Sequence, residues 1–209
     1  MDTLITREQV MELNRLFKNV APEKIIQKGL EVSDNAVVTT NFRPYEVAIL
    51  HAVNEIKNGI PVVWCDTGYN TSSTYVHADK IITQLNLNVS LYVPRQTKAY
   101  RDTLMGVPNI DDPNHELFTE QVKLEPFKRA LEEHQPKVWF TNLRKGQTAF
   151  RDSIDIFSLS KDGVLKISPF YYWSDADLDQ YLLEKGLPNE FDYFDPTKAL
   201  EHRECGLHN

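Results

Sequence analysis

The sequence predicts an α/β fold: a mostly parallel, twisted sheet with helices on both faces, followed by a C-terminal tail that carries a thiol. Three observations predict it. Short apolar runs rich in β-branched and aromatic residues alternate with stretches of helical spacing along most of the chain. These runs read as buried strands, as expected of a parallel sheet covered on both sides. Polar and cationic residues then cluster just after the runs, at the strand ends where such sheets bind ligands.

The elements follow in order. Thr6 before Arg7-Glu8-Gln9, with Val10, Leu13, Leu16 and Phe17 behind it, predicts an N-capped amphipathic helix. Pro22 suits the first turn of a second helix through Ile25, Ile26 and Leu30. Residues 36–40 read as a buried strand, 45–56 as a helix, 61–65 as a second strand closed by Asp66-Thr67-Gly68, and 73–85 as a helix. A strand at 89–93, a helix over 120–134 and a strand at 137–141 continue the alternation. Residues 154–160 and 164–167 flank Lys161-Asp162-Gly163 as a hairpin. A last helix, 174–185, starts at a Ser cap and stops before Gly186. With no repeat and no linker, the division is an α/β ligand-binding domain over 1–187 and an irregular, aromatic, mobile tail over 188–209.

Composition narrows the function. The 209 residues are 41% hydrophobic, enough for a core without staples, and the two cysteines, Cys65 and Cys205, argue against a disulfide framework and for a reducing cytoplasm. The N-terminus lacks the pattern of a secretion signal, and no long apolar span occurs, so no membrane partner is expected. A net charge of −7 argues against a nucleic acid polymer as ligand. The cations are nevertheless bunched, at Arg95, Lys98 and Arg101, at Lys123, Lys128 and Arg129, and at Arg144, Lys145 and Arg151. Such nodes on an acidic protein suit one small, highly charged anion. Three strand ends offer it hydroxyls, amides and guanidiniums: Thr39-Thr40-Asn41-Phe42-Arg43-Pro44, Asp66-Thr67-Gly68-Tyr69, and Asn142-Leu143-Arg144-Lys145-Gly146-Gln147.

The tail supplies the remaining chemistry. Arg203-Glu204-Cys205-Gly206-Leu207-His208 sets a thiol among cationic or titratable neighbours beside a permissive glycine, a setting that favours the reactive thiolate. A frayed end with an incidental cysteine is the competing reading. Cys65, inside an apolar strand, reads as inert core, and Trp64, Trp139 and Trp173 as packing residues.

In Val62-Val63-Trp64-Cys65-Asp66-Thr67-Gly68-Tyr69, in residues 123–131 (KLEPFKRAL), in residues 139–151 (WFTNLRKGQTAFR) and in the terminal Glu204-Cys205-Gly206-Leu207-His208, the chain resembles the 3′-phosphoadenylyl sulfate (PAPS) reductases. The resemblance implies an adenine nucleotide alpha-hydrolase-like, Rossmann-like fold. It implies attack by the Cys205 thiolate on the substrate sulfur, with His208 assisting, an enzyme S-sulfonate, and external thioredoxin or glutaredoxin as electron donor. Thr39, Thr40, Asn41, Asp66, Thr67, Gly68, Lys123, Arg129, Arg144, Lys145, Gln147 and Arg151 become the expected substrate-binding set, with Asp66 holding ribose hydroxyls or ordering Arg144 and its loop. No metal and no bound cofactor is expected, because two cysteines cannot hold the four-iron cluster of the branch that reduces adenylyl sulfate. A homodimer is the expected assembly.

Three departures from the family pattern stand out. Arg43-Pro44 replaces the glycine of a Ser-rich phosphate loop, a Gly-Asp-Thr-His-Thr-Thr segment is missing before a shortened arm, and loop 69–75 lacks a Pro-Glu pair. They keep two further readings open: a nucleotide-binding or regulatory paralogue without reductase activity, and another chemistry on the same fold, such as adenylation.

Overall fold

The computed structural model describes residues 5–198. Helices α1 (Arg7–Phe17) and α2 (Pro22–Val32) precede β1 (Ala36–Thr40). Then come α3 (Glu46–Ile56), β2 (Pro61–Cys65), α4 (Ser72–Leu85), β3 (Asn88–Tyr92) and two short helices, α5 (Lys98–Leu104) and α6 (His115–Thr119). A π turn, Glu120–Leu124, joins α6 to α7 (Glu125–His134), and β4 (Val138–Phe140), α8 (Ala149–Asp152), β5 (Phe157–Leu159), β6 (Leu165–Ile167) and α9 (Asp175–Glu184) complete the order.

The six strands form one sheet in the order β3-β2-β1-β4-β6-β5. All neighbours are parallel except β5, which pairs antiparallel with β6 as the hairpin reading expects. Val38 sits opposite both Val62 of β2 and Phe140 of β4. The chain thus builds outward from β1 to β3, then returns to add β4 on the other side of β1. Successive loops at the carboxyl ends of β1 and β4 diverge there, opening a crevice in the manner of doubly wound sheets.

Strand side chains divide by the two-residue period of a pleated sheet. Val38, Val62 and Phe140 face a large core with Ile25, Ile26, Leu50 and Val53 from α2 and α3. Val37, Val63, Cys65 and Trp139 face the other side, under Phe127 and Ala130 of α7. Burying each such aliphatic or aromatic side chain contributes about 1.5–3 kcal/mol. Gly29 lets α2 lie close to the sheet: a Cβ there would come within 2.4 Å of Ile167 Cδ1 and 3.0 Å of the Phe140 ring.

Caps fix the helix ends. Thr6 and Gln9 form a full capping box on α1, Ser174 and Asp177 another on α9, and Thr71 Oγ1 accepts from Thr74 N at the start of α4. The segment 120–134, expected as one helix, is instead a π turn leading into α7. Pro126 has no N–H to offer, and just before it the Glu125 amide donates five residues back, to Glu120 O. Residues 188–198 carry no helix or strand, as expected, but they are tied down: Asn189, Asp192 and Asp195 all bond to the domain. Cys205 and His208, the expected nucleophile and its assistant, lie outside the described residues.

Candidate functional site

A cleft opens at the carboxyl ends of β1 and β4, its volume about 50 Å³. Thr39, Thr40, Asn41, Arg43 and Glu46 line it from the β1 side and Thr141, Asn142 and Leu143 from β4; Val63 and Cys65 lie at its β2 side, Lys123, Phe127 and Arg151 on another wall, and Tyr193, Asp195 and Lys198 come from the irregular segment.

The β1 loop is tightly determined. Phe42 and Tyr45 both adopt positive φ, 53° and 68°, which side-chain-bearing residues hold only where the surroundings enforce it. Phe42 is buried edge-on against Trp64, and the Phe42 amide donates to Thr40 Oγ1. The Tyr45 amide, first orphan donor of α3, is taken by Asn189 Oδ1 at 2.8 Å, and the Tyr45 carbonyl accepts from Asn142 Nδ2. Three segments distant in sequence therefore fix this turn.

Glu46 is the residue that sequence reasoning missed. Only 5% exposed, it turns its carboxylate back into the loop: Oε2 accepts from Thr40 Oγ1 at 2.9 Å and from the Asn41 amide at 2.6 Å, and Oε1 accepts from Arg43 Nε at 2.7 Å. The Arg43-x-x-Glu46 spacing was the available signal, since residues three apart meet at a helix start. Arg43, one of the strand-end guanidiniums, is engaged with this carboxylate.

Lys123 is likewise engaged. Its ammonium donates to Asp195 Oδ2 at 2.5 Å and to Thr197 Oγ1 at 3.3 Å, and both ends of the ion pair are nearly inaccessible to water. Burial pushes the Asp195 carboxyl up, but the Lys123 charge and the bonds from Lys123 and Thr197 outweigh it and hold the group below the ordinary carboxylate range. The π turn is what carries Lys123 into this position. Cys65 lines the same cleft with its thiol pushed up to about 12 by burial, only partly countered by Lys123 and Arg129, so it stays protonated near neutrality.

The remaining expected residues divide into two groups. Thr39, Thr40, Asn41, Lys123 and Arg151 come together in the cleft, Thr39 Oγ1 accepting from Trp139 Nε1 at 2.9 Å. Gln147 lies behind Arg151, its Oε1 accepting from the Arg151 guanidinium and from the Arg144 amide. Arg144 itself is turned to Asp175 at 2.6 Å and lies 5.2 Å over the Tyr45 ring, while Lys145 lies 5.7 Å over Tyr172. Arg129 pairs with Glu125 and donates to Val93 O. Asp66, Thr67 and Gly68 are not among the cleft walls. Asp66 orders its own loop, accepting from Gly68 N, Asn70 Nδ2 and the Tyr75 hydroxyl.

Asn142 adds an open valence: its Oδ1 is buried without a protein partner among the described residues, on the cleft wall. Among the described residues no cluster of His, Cys, Asp or Glu could hold a metal ion, and no helix is long and apolar enough to cross a membrane. The cleft thus offers hydroxyls, amides and cations at strand ends, an arrangement suited to holding a polar, anionic ligand.

The chain is similar to known proteins in sequence and in fold. A family model described as the phosphoadenosine phosphosulfate reductase domain matches residues 35–191. A phosphoadenosine 5′-phosphosulfate reductase of Synechococcus sp. is 32% identical over 182 residues, covering 85% of this chain and 77% of that one. Its counterpart in Erwinia tasmaniensis is 33% identical over 234 aligned positions, covering 96% and 93%. The crystal structure of the Candida auris phosphoadenylyl-sulfate reductase, a phosphate complex, superposes with a TM-score of 0.78 over 88% of this chain and 89% of that chain at 21% identity, which shows a common fold.

Proposed function

The chain belongs to the phosphoadenosine phosphosulfate reductase family, and on that premise we propose that it reduces 3′-phosphoadenylyl sulfate to sulfite and adenosine 3′,5′-bisphosphate. The observation that carries the reading is the family match over residues 35–191, a span that includes every strand-end loop of the cleft except the approach of Tyr193, Asp195 and Lys198. The rest of the reaction is our reading of the residues.

The Cys205 thiolate attacks the sulfur of the sulfonucleotide. The bond from that sulfur to the phosphate oxygen breaks, its electron pair leaves with the nucleoside bisphosphate, and Cys205 carries a sulfonate. A dithiol protein of the thioredoxin or glutaredoxin class then attacks Cys205 Sγ, expelling sulfite, and its second thiol resolves the mixed disulfide, so the donor supplies both electrons. His208 assists at the thiolate or the leaving group. Thr39, Thr40, Asn41, Lys123 and Arg151 form the walls that hold the nucleotide, Thr40 through its bond to Glu46 and Lys123 through its pair with Asp195, and cations near the cleft favour the departing phosphate. Gln147, Arg144 and Lys145 support the wall around Arg151, Asp66, Thr67 and Gly68 shape the adjacent loop, and Arg129 steadies α7 against β3.

No iron–sulfur cluster takes part, since the chain has two cysteines where a cluster requires four. The cytoplasm, with its reduced thiol pool, is the compartment this chemistry suits. A homodimer completes the reading, with Phe191 and Phe194 as exposed aromatic surface for contact.

The test is a turnover assay with 3′-phosphoadenylyl sulfate and reduced thioredoxin. Wild type should release sulfite, Cys205→Ser should not, and mass spectrometry of wild type without thioredoxin should find one sulfonate on the Cys205 peptide. Sulfite release by Cys205→Ser at the wild-type rate would overturn the mechanism, and no release by wild type would overturn the activity.

A further inference from the structure

The place where a doubly wound sheet most readily binds an oxyanion is the turn between a strand end and the following helix, because amide donors and the positive end of the helix dipole converge there. In this chain that turn is β1 to α3, and its donors are spoken for from within. The Asn41 amide, the Thr40 hydroxyl and Arg43 Nε all point at one carboxylate, that of Glu46, at 2.6–2.9 Å. An amide, a hydroxyl and a guanidinium are the donor set a bound phosphate requires. Glu46 is 5% exposed and faces the cleft, so this is not a solvated ion pair on a helix surface.

We propose that Glu46 is a specificity-determining residue whose carboxylate stands in for a ligand anion, closing the β1 turn to phosphate, pyrophosphate and the polyphosphate tail of nucleoside triphosphates. The inference rests on reading the cleft as a nucleotide site, but not on the reductase reaction. Two effects act together. The donors are already satisfied, so an incoming phosphate gains none of them without displacing Glu46, and a phosphate beside the carboxylate meets like charge in a poorly hydrated place. The turn is also held in shape around Glu46 by the positive-φ residues Phe42 and Tyr45, so the carboxylate cannot leave without breaking its ion pair with Arg43. A sulfonucleotide bound here must direct its charged groups to other walls, whereas a triphosphate, which needs the strand-end turn, is refused.

The experiment titrates inorganic pyrophosphate into the full chain by calorimetry, comparing wild type with Glu46→Gln and Glu46→Ala. Both variants should bind roughly tenfold tighter or more than wild type, and pyrophosphate should raise their melting temperature but not that of wild type. Combining Glu46→Ala with Arg43→Gln should cancel most of the gain, which assigns it to this turn. Glu46→Gln keeps the acceptor for the Asn41 amide and carries the comparison should Glu46→Ala fail to fold. Equal pyrophosphate affinity in wild type and Glu46→Gln would overturn the proposal. Sulfite assays on the same wild-type preparation separate it from the activity: tighter pyrophosphate binding by the variants without wild-type sulfite release refutes only the reductase reading, and the reverse pattern refutes only this one.

Discussion

Replacing Asp195 by Asn leaves the shape of the irregular segment nearly unchanged while removing the charge that faces the Lys123 ammonium at 2.5 Å. Both side chains are almost wholly shielded from water, 3% and 4% exposed, so the surviving ammonium cannot be rescued by solvent. Breaking a buried ion pair by removing one partner costs about 3–5 kcal/mol, against at most about 1 kcal/mol for an exposed pair. For a chain of this length each kcal/mol moves the melting temperature by about 2–4 °C, so Asp195→Asn should melt roughly 6–20 °C below wild type. The pH dependence gives an independent check. Asp195 sits below its ordinary range in the folded state, so its stabilisation is present above the unfolded value near 3.9 and is lost as pH falls through the lower folded value. The gap between wild type and variant, measured by urea denaturation, should therefore be steady from about pH 5 to 8 and close below about pH 4. A double replacement, Lys123→Met with Asp195→Leu, should recover most of the loss, because it removes both buried charges. A deficit under about 1 kcal/mol for Asp195→Asn, or a double variant as unstable as the single one, would refute the reasoning.

Three further outcomes are expected. Gly29→Ala should destabilise by about 1–3 kcal/mol even though alanine is worth about 1 kcal/mol more than glycine in a helix, and adding Ile167→Val, which deletes the clashing Cδ1, should return part of the loss in thermal melts. Titration with a thiol reagent near pH 8 should label one of the two cysteines in the native chain and both in urea, and Cys65→Ala should leave the native count unchanged, because the Cys65 thiol is pushed up to about 12. Thr71→Ala should lower stability by about 1 kcal/mol through loss of the α4 cap and weaken the hold on Asp192 O, whereas Thr71→Ser should restore both in urea titrations.

The sheet was legible because its strands are unbroken apolar runs between turn residues, and the capped helices because Thr6 and Ser174 are followed three residues on by Gln9 and Asp177. Helix α5 escaped notice for a physical reason. The residue it buries is Arg101, 1% exposed, its two terminal guanidinium nitrogens donating to the Tyr69 hydroxyl and to Gln96 O, so its inward face carries no apolar signal. The cleft was half legible. Strand-end hydroxyls and cations announced an anion site, and Thr39, Thr40, Asn41, Lys123 and Arg151 do converge there. What composition could not convey is that acidic residues occupy the same space. Glu46 in a first helical turn reads as ordinary complement to the dipole, and Asp195 in an irregular stretch reads as solvated. Only the folded path turns each carboxylate inward against a cation.

The segment over 188–198 is held at three points: Asn189 at the start of α3, Asp192 at the start of α4 and Asp195 at the π turn. Its last described residue, Lys198, is on the cleft wall, so the anchored path ends at the mouth of the site rather than at the far side of the domain. Six residues of chain, seven peptide steps, then separate Lys198 from Cys205, a tether of at most about 24 Å however it is arranged. A thiol confined to a sphere of that radius has an effective concentration of order tens of millimolar at the cleft. The shortened arm thus trades span for local concentration.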